Sequence, residues 1–309
     1  TASYQLINTQ LIAGNASMPD INGNLVTGNS GNGNAKISWS GTGCSSSIVP
    51  VTVIAGQSPT VSAGANQSIC AGSSATLVGS GATTYSWDNN VQNGVAFTPN
   101  ATQTYTVTGT DANGCQNTAS TTITVNALPV ASIAVAETSG TTNNDGTICA
   151  GASATLTASG GTSYSWSNGA TTAAITVSPA TTTTYTVTVT NANGCSATSN
   201  TTITVNALPT TYNVTGGGAY CSGGVGSAVG LSNSEVGVNY QLVLNGTNVG
   251  SSVSGTGSAI SFGLQTAAGT YTVVATNATT ACTDNMTGSV TVSINALPTI
   301  TPTLTEPTT

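Results

Sequence analysis

The chain has 309 residues, of which one is Lys or Arg, none is His and eight are acidic, for a net charge of −7. With no His and with Lys36 as its sole basic side chain, it lacks the groups that usually move protons or activate a Ser nucleophile. It also lacks the basic footprint of a nucleic-acid binder. The composition therefore predicts no enzyme, no cofactor and no nucleic-acid partner.

No apolar run approaches the roughly 18–20 residues of a transmembrane helix, so no membrane insertion is expected. β-Branched and aromatic residues recur in ordered alternation, unlike a chain too polar to bury a core. Solubility has to come from Thr, Ser, Asn and Gly.

A repeated phrase divides the chain. Thr-Thr-Ile-Thr-Val-Asn-Ala-Leu-Pro stands at 121–129 and again at 201–209, and a relaxed copy at 290–298 ends in the same Asn-Ala-Leu-Pro. Ile and Val alternate with Thr as in a half-buried strand, and the closing Pro cannot donate to a continuing ladder. The phrase reads as the last strand of a module followed by a joint, so the chain is an array.

In chain order, residues 1–59 read as the C-terminal part of an incomplete domain. Residues 60–129, 130–209 and 210–298 read as complete domains. Residues 299–309 read as a linker or the first strand of a following domain. Period-two alternation in the 130–209 module predicts strands at 154–158, 164–166, 174–177, 184–189 and 201–205. In the fourth of these Tyr185, Val187 and Val189 share one face, and Tyr105 and Val107 mark the same strand one module earlier. Turns at Gly160-Gly161, Asn168-Gly169 and Asn193-Gly194 separate the strands. Short strands at this spacing, with no helical period, predict an all-β two-sheet sandwich.

The cysteines follow the same ruler. Cys115 and Cys195 stand 14 residues before Pro129 and Pro209, Cys282 stands 16 before Pro298, and Cys44 stands 15 before Pro59. With no C-x-x-C pair and no His, a metal site is not expected. The spacing predicts disulfides within modules: Cys70 with Cys115, Cys149 with Cys195, and Cys221 with Cys282. Cys44 is then unpaired in this chain, its partner expected before residue 1. Disulfides imply an oxidising, extracytoplasmic compartment.

Tyr164-Ser165-Trp166-Ser167-Asn168-Gly169 and the later Thr184-Tyr185-Thr186-Val187-Thr188-Val189-Thr190-Asn191-Ala192-Asn193-Gly194 resemble PKD-type and related immunoglobulin-like repeats. Such repeats occur in large secreted surface adhesins of Bacteroidota-type bacteria. The 210–298 module, with Tyr220-Cys221-Ser222-Gly223-Gly224 and Gly269-Thr270-Tyr271-Thr272-Val273, is similar to a sister subtype. The resemblance implies a tandem array of immunoglobulin-like (PKD-like) β-sandwich domains with one disulfide per complete domain. It also implies an extracellular, cell-surface location, with export by the type IX route and roles in adhesion or gliding motility. Two features depart from the family: the acidic turn after the tryptophan is replaced by Asp88-Asn89-Asn90 and Ser167-Asn168-Gly169. The second Cys lies in a turn rather than on the strand, so the bridge is expected at the end of a sandwich.

Other candidate sites read as structure. Tyr85 with Trp87, and Tyr164 with Trp166, have the spacing of core anchors rather than of a sugar platform; Trp39 with Ile37 reads likewise. Asp111-Ala112-Asn113-Gly114, Asn191-Ala192-Asn193-Gly194 and Asn143-Asn144-Asp145-Gly146 have too few carboxylates for a calcium cage and suit tight turns. The expected function is a disulfide-stapled spacer, stalk or filament-building unit, with head-to-tail self-association as one partner mode. The alternative is a carbohydrate-binding region, with a surface glycan as partner.

Overall fold

The computed structural model describes residues 17–19, 25–27 and 57–300. All regular structure among them is β-strand. The chain forms two compact units that divide between Asn126 and Ala127, inside the first copy of the repeated phrase. Trp39 and Cys44, and the tail beyond Ile300, lie outside the described residues.

In the first unit, β1 (Ser17–Pro19) and β2 (Leu25–Thr27) form an antiparallel pair. A sandwich follows, built from β3 (Gln67–Cys70), β4 (Ala75–Thr76), β5 (Thr84–Trp87), β6 (Ala96–Phe97), β7 (Gln103–Thr110) and β8 (Gln116–Asn126). One sheet has the order β3-β8-β7-β5, and β4 pairs with β6 in the other. Leu77, Trp87, Tyr105, Val107 and Ile123 fill the core. Apart from Leu77, which directly follows β4, they are the inward set of strands whose outward set is Thr, Ser or Gln, as a period-two pattern requires.

The second unit holds two further cores. The first of these belongs to β9 (Ser132–Ala136), β10 (Thr147–Cys149), β11 (Ala154–Ser159), β12 (Ser163–Trp166), β13 (Ala174–Val177), β14 (Thr183–Thr190) and β15 (Ser196–Asn206). Its sheets run β10-β15-β14-β12 and β13-β11-β9 around Leu156, Trp166, Val187, Val189 and Ile203. The last sandwich comprises β16 (Val214–Gly216), β17 (Gly218–Cys221), β18 (Ser227–Leu231), β19 (Val238–Leu244), β20 (Thr247–Ser254), β21 (Ile260–Gln265), β22 (Gly269–Asn277), β23 (Thr283–Asn285) and β24 (Val290–Asn295). Here β16-β18-β21 faces β17-β24-β22-β19-β20, with β23 beside β22. Tyr240, Leu242, Tyr271 and Val273 anchor that core.

The strand order is that of tandem immunoglobulin-like sandwiches, each with its own core. Every predicted strand of the middle sandwich is present. Two were missed: β9, and the three-residue β10 that carries Cys149. β10 is too short to show a period, and it is held by its neighbour: it runs parallel to β15, as β3 does to β8 and β17 to β24.

Glycine admits a close approach at the same loop in two sandwiches. Gly161 leaves room for Val189, whose Cγ1 would stand 2.5 Å from an added Cβ. On the strand facing the matching loop, Gly109 leaves room for Val61, whose Cγ2 would stand 2.6 Å from an added Cβ, and for the Ala82 Cβ at 2.8 Å. In both, a neighbour fills the space of the missing side chain, as a close-packed interior demands.

Candidate functional site: a disulfide between sandwiches

The parallel strands put one class of cysteine in a constant place. Cys70, Cys149 and Cys221 end β3, β10 and β17, opposite Asn126, Asn206 and Asn295, the Asn of the repeated phrase. Each therefore sits at the trailing end of its sandwich, where the chain leaves. Each is followed by the same turn. The next residue donates its N–H to that Asn carbonyl (Ala71 2.8 Å, Ala150 2.8 Å, Ser222 2.9 Å). A Gly two places on takes positive φ: 84° at Gly72, 85° at Gly151 and 83° at Gly223, a region only Gly enters freely.

The second class, Cys115, Cys195 and Cys282, sits at the leading end. Asp111 Oδ1 accepts the N–H groups of Asn113 and Cys115, both at 2.8 Å. Asn191 Oδ1 accepts those of Asn193 and Cys195, both at 3.0 Å. Asn277 Oδ1 accepts those of Thr279 and Thr280, and the Asn277 N–H donates to the Cys282 carbonyl at 2.9 Å. These are side-chain-capped turns; the sequence predicts the turns at 111–114 and 191–194 and not the one at Asn277. Among the described residues no group of three or more His, Cys, Asp or Glu is placed to hold a metal ion.

The two classes stand at opposite ends, and this overturns the predicted pairing. Cys195 immediately precedes β15, and Cys149 lies opposite its last residue. The 11 residues of β15 span about 36 Å at the usual strand rise, whereas bridged Cα atoms lie within about 7 Å. Cys149 is instead bonded to Cys282, 133 residues away, with Cα atoms 5.5 Å apart. Cys115 and Cys221 are free thiols, so neither Cys70–Cys115 nor Cys221–Cys282 forms. Cys70 and Cys195 are each disulfide-bonded. The Cys149–Cys282 bond thus joins the trailing end of the middle sandwich to the leading end of the last one.

A loop inserted before β10 braces this joint. Glu137 is 4% exposed, and its carboxylate accepts the N–H groups of Ser139 (2.9 Å) and Asp145 (3.1 Å). Ser139 Oγ in turn accepts the Cys149 N–H at 3.1 Å. Gly140 brings the loop beside the Thr280 carbonyl, 3.7 Å from where its Cβ would lie. The sequence predicts the turn at Asn143–Gly146 but gives no role to Glu137. An acidic residue in a chain with so few was the available signal.

The paired aromatics are core anchors. Trp87 Nε1 donates to Asn93 Oδ1 (3.0 Å) and Trp166 Nε1 to the Thr172 carbonyl (2.9 Å), with both side chains buried. Tyr85 and Tyr164 turn their hydroxyls to the carbonyls of Ala82 and Gly161. Neither tryptophan offers a face on which a sugar ring could stack. No helix among the described residues is long and apolar enough to cross a membrane.

No family model matches this chain, and no curated protein matches it. Solved structures with similar folds include a three-domain immunoglobulin segment of titin (I67–I69, variant), at 12% identity and a TM-score of 0.36, covering 78% of this chain and 100% of that one. An adhesin that helps an Antarctic bacterium bind ice has 19% identity and a TM-score of 0.33, covering 79% and 75%. The first eight immunoglobulin domains of Down syndrome cell adhesion molecule have 19% identity and a TM-score of 0.32, covering 77% and 36%. The fold assignment rests on the strand order above rather than on these similarities.

Proposed function

We propose that this chain is a load-bearing structural segment of an extracellular protein, a stalk, spacer or filament-building unit of an adhesin, without catalytic activity of its own. The Cys149–Cys282 bond carries this reading. A disulfide that serves only domain stability belongs inside one domain. This one bypasses the Leu208-Pro209 joint and leaves tension a covalent route between sandwiches. Joints at Pro129, Pro209 and Pro298 suit the reading, since each Pro stands three residues beyond the end of a strand and stiffens the connection that follows.

The bond also favours an oxidising compartment, and hence export to the cell surface; the type IX route and a role in gliding belong to the same proposal. A surface with a single Lys or Arg presents almost no site to trypsin-like proteases, which suits an exposed stalk. Electron microscopy of the intact protein tests the role. Long, thin particles are expected, and a compact globule would refute it.

A further inference from the structure

The half-site that holds Cys149 is built a second time, at Cys221, and left open. The two share the parallel register to the phrase Asn, the N–H bond to that Asn carbonyl, and a closing turn in which Ala152 or Gly224 donates to the cysteine carbonyl at 2.9 Å. In the first, the sulfur is bonded and the side chain half-buried. In the second it is an exposed thiol.

A second observation coincides with the first. Leu208, the phrase Leu at the stapled joint, is 37% exposed, whereas its counterpart Leu297 is 62% exposed, with Val225 at 76% and Ile294 also uncovered. An apolar collar is bare at the same end as the bare thiol. The complementary half is present too. Cys115 sits on the same capped turn as Cys195, yet it is a half-buried thiol where Cys195 and Cys282 are fully buried.

We propose that Cys221 is one half of a further inter-module disulfide, whose other half is the leading-end cysteine of another module of this repeat type. Cys115 is a leading-end half that takes a trailing-end cysteine in the same way. Each such bond ties the strand beside a module's exit to the leading-end turn of another module, as Cys149–Cys282 does. The bond forms by exchange with a disulfide oxidant, either an oxidised dithiol oxidoreductase or glutathione disulfide. The first thiolate attacks it to give a mixed disulfide, and the second displaces the carrier. Two protons and two electrons leave the cysteines, and the oxidant is released as two thiols. The assignment rests on the modular reading but not on the load-bearing role, since the bond can form in a chain that carries no tension.

Disulfide mapping of the intact protein tests it. Thiols are alkylated at isolation, and the unreduced protein is cut with chymotrypsin, because one Lys gives trypsin no purchase. The Cys221 peptide is expected joined to a cysteine peptide carrying Asn or Asp four or five residues ahead of its Cys. If that peptide contains Cys115, the mass of the unreduced protein shows whether the same or a second copy supplied it; any other sequence with that spacing identifies a module elsewhere in the parent protein, and either supports the proposal. Cys221 recovered alkylated, capped by glutathione, or bonded to Cys282 overturns it. Cys221→Ser should abolish the linked peptide while leaving the Cys149–Cys282 peptide intact. Loss of both would show that Cys221 acts on folding and would also overturn the assignment. Failure here leaves the load-bearing role standing, because that is read by particle shape and by pulling.

Discussion

Pulling the molecule from its ends, with and without reductant, gives the sharpest check on the staple. The Cys149–Cys282 bond encloses 133 residues of sequence separation. In a Cys70→Ser/Cys195→Ser background, which removes the other bonded cysteines, tension reaching Cys149 crosses the sulfurs to Cys282, and the enclosed segment cannot be extended even when both sandwiches have unfolded. At about 3.4 Å per residue of stretched chain, the hidden length is about 450 Å. In that background, optical-tweezer traces of oxidised protein should fall short of the reduced protein by that amount, and adding Cys149→Ser/Cys282→Ser should remove the difference. In the chain-entropy picture a loop of this size also stabilises the folded unit by about 5 kcal/mol, so reduction should lower its chemical-denaturation midpoint. Equal lengths for the wild type with and without reductant would refute the placement of the bond across the load path.

Glu137→Ala should remove the acceptor of the half-buried Ser139 N–H and of the Asp145 N–H and cost about 1–2 kcal/mol; faster hydrogen exchange at those amides is the readout. Asn191→Ala removes the acceptor of the Asn193 and Cys195 N–H groups and a 2.9 Å bond to the Ala127 carbonyl. A cost of about 1–2 kcal/mol is expected in urea melts, whereas Asp111→Asn should be near neutral because the matching turn already uses Asn. Burial is the leading cause that raises the Tyr105, Tyr240 and Tyr271 hydroxyls above their ordinary value of 10.0. The folded state therefore holds these protons longer than the unfolded chain. Their stabilising contribution is complete below about pH 10 and is lost as pH rises through the folded values. Denaturation midpoints of thiol-alkylated protein should stay flat to pH 9 and fall above 10.

Much of the fold is legible in local pattern. Tyr185, Val187 and Val189 announce a half-buried strand because side chains alternate across a sheet whatever its partners are, and β14 carries them inward as expected. Trp87 and Trp166 were legible as core anchors for the same reason. β10 is not legible, because Thr147–Cys149 has only three residues; Ser132–Ala136 carries the same alternation as the predicted strands, and that was the available signal for β9.

The cysteines mark the boundary between the two kinds of information. Their register to the repeated phrase, the turns that hold the second class, and the modular parse all follow from the order of residues, because each depends on neighbours a few positions apart. Which sulfur meets which depends on where strands begin and end in space. A parallel β10 carries Cys149 to the far end of β15, and the hairpin before β15 leaves Cys195 at the near end, about 36 Å away at the usual strand rise. Cysteines close in sequence are thereby kept apart. Cys149 meets Cys282 because successive sandwiches follow one another end to end at that joint, a relation no spacing within one module contains.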